Sequence, residues 1–248
     1  MRPLLAVLVA PLAALLLTPA PAAAAEWFAD AELGVVGASR NDVRIPGNGG
    51  TPFSLVNDLS TYAAPYGRGE VGAILAGRHT VFATWAPVRL SAHGYLPTDV
   101  FFHGATFAAG SPVSARWVFD TYRLTSRYGA VRPSSLDVDV GATGLVRASA
   151  IALQGTWYSQ KTDVTSLALL SFRLAWRFSG PFALVVDGDA IATPKGRLED
   201  VLLALEWAAR PGVAVRAGYR IIEGLTDTAE IYDLVLLNHA AVGINVKF

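Results

Sequence analysis

From residue 26 onward the chain repeats with a period of two. Trp27, Ala29, Ala31, Leu33 and Val35 alternate with Asp30, Glu32 and Gly34. Val201, Leu203, Leu205 and Trp207 alternate with Asp200 and Glu206, and Val213, Val215, Ala217, Tyr219 and Ile221 alternate with Arg216, Gly218 and Arg220. Val242, Ile244, Val246 and Phe248 alternate with Gly243, Asn245 and Lys247. Successive side chains of a β-strand point to opposite faces, so each segment has one apolar face and one that is polar or small. No amphipathic helix is evident.

Such an apolar face belongs either to the core of a soluble sandwich or to the lipid side of a membrane barrel. Composition and punctuation favour the barrel. Of 248 residues, 52% are hydrophobic and 16% charged, which is more apolar and less charged than ordinary soluble domains and the opposite of a disordered chain. The longest apolar runs, around 167–176 and 201–209, carry Arg173 or Glu206. They are too short for a spanning helix of about 20 residues and suit a tilted spanning strand of about ten. Short connections at 77–78, 109–112, 179–181 and 210–212 alternate with longer polar ones at 39–66, 91–98, 155–165, 193–198 and 224–230. Outer-membrane barrels have short turns at one end and longer loops at the other; a sandwich has no reason to sort its loops by parity.

The segments 27–38, 66–76, 79–89, 99–108, 114–128, 135–145, 150–155, 166–178, 182–191, 199–209, 213–223 and 233–248 predict an all-β fold. The expected architecture is a closed antiparallel transmembrane β-barrel of about 12 strands, or 10 if the blurred turn around 143–155 is no turn. Trp27, Phe82, Trp85, Tyr128, Trp176, Phe178, Phe182, Trp207 and Tyr219 lie near strand ends and fit interfacial aromatic girdles.

Residues 1–25 read separately. Arg2, an apolar run from Leu4 to Leu17 and the small residues Pro19 to Ala25 form the three parts of a secretory signal cleaved before Glu26. Residues 26–248 are then a single barrel domain. The 20 basic and 20 acidic side chains cancel, which leaves no electrostatic footprint for nucleic acid. The absence of Cys removes disulfides, thiolate metal sites, iron–sulfur ligands and lipid attachment. No cofactor and no metal site are expected. An exported, apolar, Cys-free chain of strands points to the outer membrane of a Gram-negative cell, with the lipid of that membrane as its first partner.

The chain ends Ala240-Ala-Val-Gly-Ile-Asn-Val-Lys-Phe248. A terminal Phe preceded by apolar residues at every second position resembles the C-terminal signal of bacterial outer-membrane β-barrels. The resemblance implies that the barrel-assembly machinery reads this last strand. The segments 44–50, 122–128 and 218–224 are similar to uncharacterised barrels of about this size, which implies location and fold but no activity.

The inferred lumen face carries the chemistry. Arg123 and Arg127 are four apart on one strand and share a face, as do Arg173 with Arg177 and Arg216 with Arg220. Guanidinium stays charged and binds carboxylate or phosphate through paired N–H donors. Three such pairs could line a narrow, anion-preferring pore for a small anionic solute, with Arg123, Arg127, Arg173, Arg177, Arg216 and Arg220 setting selectivity. Hairpin geometry also offers each pair a carboxylate. A turn centred on Pro211 opposes Glu206 to Arg216, one centred on Gly180 opposes Arg173 to Asp187, and one centred on Arg132 opposes Arg127 to Asp137. Unpaired lumen charge is costly, so this layout suits a structural barrel filled by ion pairs.

An enzyme of outer-membrane lipid is the alternative. His79 sits at a short turn, His93 in an external loop near Ser91 and Asp99, His103 on a strand and His239 on the lumen face. A nucleophile and its base need hydrogen-bond contact, which spacing alone does not establish. The Asp- and Gly-bearing stretch 40–50 lacks the spacing of a calcium loop.

Overall fold

The computed structural model describes residues 25–248. The expected leader, apart from Ala25, lies outside the described residues. Fourteen strands follow one another: β1 (Glu26–Arg44), β2 (Phe53–Ser54), β3 (Leu59–Thr61), β4 (Ala64–Leu75), β5 (His79–Tyr95), β6 (Val100–Phe102), β7 (Ala105–Phe107), β8 (Pro112–Val131), β9 (Leu136–Gln154), β10 (Tyr158–Ser179), β11 (Phe182–Thr193), β12 (Gly196–Arg210), β13 (Val213–Asp227) and β14 (Tyr232–Lys247). Ten of them, β1, β4, β5 and β8 to β14, pair antiparallel in chain order, and β14 pairs back onto β1. That seam runs from Phe28 opposite Lys247 to Arg44 opposite Tyr232, and Trp27 and Phe248 exchange main-chain hydrogen bonds at its end. The sheet therefore closes into a ten-stranded barrel, the lower of the two expected counts.

Two segments account for the difference. Residues 135–145 and 150–155 are one strand, β9, because Gly144 pairs in the ladder with Ala168 and Leu124 and makes no turn. Residues 99–108 are no barrel strand but the separate hairpin β6–β7, turned by His103 and Gly104, both at positive φ. All five expected long loops also shrink. β1 continues to Arg44, β5 to Tyr95 and β13 to Asp227, while β10 starts at Tyr158 and β12 at Gly196. Their polar outward residues look like loop, yet they continue the wall.

The alternation changes its meaning along the strands. On β8, Tyr122, Leu124 and Tyr128 point outward while Thr121, Arg123, Thr125 and Arg127 are buried inside. Nearer the loop end of the same strand, Val113, Ala115, Trp117 and Phe119 are inside and Ser114, Arg116 and Asp120 are outside. β5 repeats this, with Trp85 outward and Thr84 inside low down, then Arg89, Ser91 and His93 outward and Val88, Leu90 and Ala92 inside higher up. Towards the turn end the barrel is thus polar inside and apolar outside; towards the loop end it is built like a water-soluble protein. The expectation of a uniformly polar lumen is corrected by this apolar upper core. It forms because the connections 45–63 and 96–111 fold across the mouth and bury Ile45, Phe53, Leu55, Leu59, Phe102 and Phe107 against Trp117, Leu153 and Leu237.

The outer belt carries exposed Leu33, Val71, Leu124, Leu170, Leu203, Leu205, Ile221, Val242 and Ile244. Trp27, Tyr128, Trp176, Phe178, Phe182 and Trp207 ring it towards the turn end, with Trp85, Tyr122 and Tyr219 above. On β12 the belt lies between Glu199 and Arg210, a stretch of about 36 Å along the strand that a tilt of about 40° reduces to about 28 Å, close to an apolar band of about 25 Å. Phe82, expected in the girdle, instead points inward beneath the Arg127 guanidinium.

Candidate functional site

Behind the belt, the lumen is filled by a layer of charge. Alternation aims Asp30 and Glu32 of β1, Arg68 and Glu70 of β4, Arg123 and Arg127 of β8, Arg173 of β10, Asp187 and Asp189 of β11, Asp200 and Glu206 of β12, and Arg216 and Arg220 of β13 into the barrel. Six guanidiniums there meet seven carboxylates. Asp200, with 0% of its surface exposed, is the hub. It accepts from Arg220 at 2.6 Å and Arg68 at 3.2 Å and is ion-paired with Arg123 at 2.6 Å, so three walls converge on one carboxylate. Glu32 bonds Arg220 at 2.9 Å and Arg216 at 3.0 Å. Arg123 also bonds Asp189 at 2.7 Å, and Thr143 donates to the other Asp189 oxygen at 2.7 Å. Arg127 binds both oxygens of Asp187, at 2.7 and 3.2 Å, and donates Nε to Ser171.

The sequence-predicted residues are all present in or beside this layer, with different partners for several. The register opposes Arg173 to Asp187 and Glu206 to Arg216 as the turns predict. The shortest bonds, however, run elsewhere. Arg173 reaches Glu206 at 3.2 Å and stays 3.8 Å from Asp187, while Arg216 reaches across the seam to Asp30 at 2.6 Å. Arg127 does not oppose Asp137. The turn is centred near Ser134 and not on Arg132, so that Arg127 faces Gly141. Asp137 instead binds Arg177 at 2.5 Å near the turn end.

Small residues make room for this network. At Gly243, opposite Arg216, a Cβ would sit 2.8 Å from the guanidinium carbon. Arg68, Asp30, Glu32, Glu70, Asp189 and Asp200 escape prediction because hairpin arithmetic pairs only directly opposed residues of neighbouring strands, whereas these bonds run within a strand, diagonally, or past intervening strands. Their inward parity was the available signal.

Chemically, the layer is paired within itself. Arg123, Arg220 and Asp200 are almost wholly buried, with exposures of 4%, 2% and 0%. Each guanidinium lies against carboxylates already in place, although Arg123 Nε and Nη2 and Arg216 Nε have no hydrogen-bond acceptor, and a buried guanidinium so compensated offers an anion little. A cleft of about 450 Å³ lies outside the lumen at the loop-end rim, lined by Asp42, Arg44, Phe53, Ser54, Asp58 and Tyr232.

The four His residues are scattered. His239 faces the lumen as expected, fully buried, with Nδ1 at 3.2 Å from the Arg220 carbonyl and its ring edge-on to Tyr66. His103 occupies the β6–β7 turn, and His79 packs on Tyr128 at the turn end. His93 lies on β5, not in a loop, and its Nδ1 is 2.9 Å from Ser114 Oγ on the outer wall, as a directly opposed cross-strand pair. Asp99 is not its partner; it accepts the Ala109 amide. Asp58 likewise serves the cap, accepting the Ser54 amide in the connection across the mouth.

No protein-family model and no curated protein sequence matches the chain. Solved structures do. The outer membrane protease OmpT from Escherichia coli aligns with a TM-score of 0.54 at 10% identity, over 90% of this chain and 97% of that one. A major outer membrane protein from Thermus thermophilus aligns at 0.40 and 12% identity, over 91% and 100% of the two chains. The translocator domain of the autotransporter NalP from Neisseria meningitidis aligns at 0.40 and 13%, over 90% and 88%. Fold and lumen together define the class: a closed, antiparallel, ten-stranded β-barrel of the outer-membrane type, with its interior occupied by ion pairs and a cap. The likeness to the protease is one of fold.

Proposed function

We propose that the protein is a structural barrel of the bacterial outer membrane whose lumen passes no solute. Membrane residence is supported by the continuous exposed apolar belt between aromatic girdles and by the ladder that closes all round the barrel at the level of that belt. The turn end, which also holds both strand termini, faces the periplasm and the capped end faces outward. Export through the 1–25 leader and recognition of β14 by the assembly machinery are parts of the same reading.

One observation carries the choice of a closed barrel over an anion-preferring pore. Asp200 holds Arg68, Arg123 and Arg220 together across the lumen, beneath an apolar cap. The deciding experiment is single-channel recording of the refolded protein in a planar bilayer under a salt gradient. A folded barrel that stays silent is expected; stable, anion-preferring steps would replace this reading with the pore and its Arg selectivity residues.

A second reading, a lipid-modifying enzyme, draws on the 2.9 Å contact between His93 and Ser114. Covalent labelling of Ser114 by a fluorophosphonate, lost in Ser114→Ala and His93→Ala, would establish it. Unlabelled protein would reduce the contact to an ordinary cross-strand hydrogen bond.

A further inference from the structure

The ladder between β10 and β11 lapses above the Leu170–Ala190 pair, and another interruption of the wall lies between β4 and β5. Their ladder runs from Leu75 opposite His79 up to Gly69 opposite Trp85 and stops. It resumes only where β3 places Thr61 opposite Ala92, with the Tyr62 amide donating to the Ser91 carbonyl. Among the described residues, no ladder pair joins 64–68 to 86–91. The sequence accounts for the gap. Continuing the register would oppose Gly67 to Pro87 and Pro65 to Arg89, and each of those pairs contains a proline, which has no N–H to donate. In an antiparallel strand alternate residues turn both main-chain groups to the same side. The Ser91 carbonyl faces this gap, so the Pro87 carbonyl and the Arg89 N–H and carbonyl face it too. Behind the gap, Tyr66, Ala86, Val88 and Leu90 are buried, so it is a recess in the outer wall and not a hole.

The surroundings are graded in polarity. Below the recess lies the directly paired Trp85 and Tyr122, 55% and 51% exposed. The floor is Gly67 and Gly69; a Cβ at Gly69 would meet nothing within 4 Å. Above stand Arg89, its side chain 58% exposed, and Arg116, opposite Ser91. Arg89 is bonded to Asp120 at 3.0 Å through one nitrogen, Nη2. The described residues place no carboxylate on Arg116. Aromatic rings under a recess with open main-chain groups, crowned by two guanidiniums against one carboxylate, match an amphiphile with an anionic head.

The geometry points to a binding site on this wall for an outer-leaflet lipid with a phosphate head group. The acyl chain lies along Gly69 and Trp85, and the phosphate accepts from Arg116, Arg89 and the free Arg89 N–H. The site rests on the membrane reading above and is independent of whether the lumen conducts.

The test is native mass spectrometry of the intact barrel after extraction from vesicles, titrated with phosphatidylglycerol or phosphatidylcholine, with inorganic phosphate as competitor. Wild type is expected to retain the anionic lipid about tenfold more strongly than the zwitterionic one, and the doubly substituted R89Q/R116Q to lose about that factor, because charge-assisted bonds to phosphate are removed. Arg78→Gln at the opposite end controls for net charge and should keep the preference. Equal retention of both lipids, or an R89Q/R116Q protein as selective as wild type, overturns the site. Displacement of the lipid by inorganic phosphate overturns its assignment to lipid. Failure to acquire a heat-modifiable, protease-resistant form in any vesicle overturns the membrane reading itself, whereas a barrel that inserts without lipid preference overturns this site alone.

Discussion

Asp200 and Arg123 meet at 2.6 Å although three strands separate β12 from β8 along the wall. The same carboxylate binds Arg68 and Arg220, so opposite sides of the barrel are tied at its centre. Removing it leaves three guanidiniums without their shared acceptor in a buried setting. Asp200→Ala is therefore expected to cost about 3–5 kcal/mol, read from the urea midpoint of the heat-modifiable band. A loss below about 1 kcal/mol, the range of exposed ion pairs, would mean that water reaches the hub.

The belt makes a prediction that no soluble barrel shares. Leu203 is 50% exposed on the outer face. On a soluble protein, Leu203→Arg would be nearly neutral. In a bilayer it should cost about 2–4 kcal/mol, as for Arg near the midplane of membrane barrels, and should be tolerated better in detergent than in vesicles. Equal stability in both would argue against lipid contact there.

In the closed-barrel reading proposed above, cap and charge layer block the lumen in series. Deleting 98–109, which removes the β6–β7 hairpin, should expose apolar surface to a hydrophobic dye while leaving the bilayer silent. Conductance should require small residues at Arg123, Arg220 and Asp200 as well. Current through the hairpin deletion alone would show that the cap, not the ion pairs, is the barrier.

The cap should weaken as pH rises. Asp233 lies well above the belt, its Oδ2 accepting from Trp117 at 3.3 Å and its Oδ1 without a partner. Burial pushes its carboxyl up from 3.8 to about 6. A carboxyl whose folded pKa is raised favours folding while protonated. Its contribution is complete below about 4 and is lost as pH climbs through about 6, a change of about 3 kcal/mol. Hydrogen exchange of the Leu55 and Phe107 amides should quicken between about pH 4 and pH 7 in wild type and change less in Asp233→Asn. Equal slopes in the two proteins would remove Asp233 as the cause.

Much of the fold is legible in the strand period alone. The barrel, its turns at 77–78, 179–181 and 210–212, the closing strand ending in Phe248 and the inward aim of Arg123, Arg173, Arg216 and His239 all follow from alternation, whereas the expected short turn at 109–112 lies at the loop end, between β7 and β8. Alternation does not tell which solvent each face meets. On β8 the pattern continues unbroken from Arg127 to Val113 while its polarity reverses between Thr121 and Phe119. Polar outward residues such as Thr162 and Arg197 therefore read as loop although they belong to β10 and β12. The pairings are partly legible for a similar reason. Turn centres place Arg173 opposite Asp187, but a turn centred near Ser134 in place of Arg132 moves Arg127 to Gly141. Bonds across the lumen, such as Arg216 to Asp30, depend on closure and lie beyond any hairpin rule.

The reversal on β5 and β8 also acts as a waterline. Were the barrel to sink by one pair of residues, Arg89, Asp120, Glu199 and Glu223 would enter hydrocarbon; were it to ride as much higher, the ring of Trp27, Trp176 and Trp207 would leave its interface. Depth and tilt are thus held by the molecule's own flotation, and a bilayer of the wrong thickness has to deform to meet it.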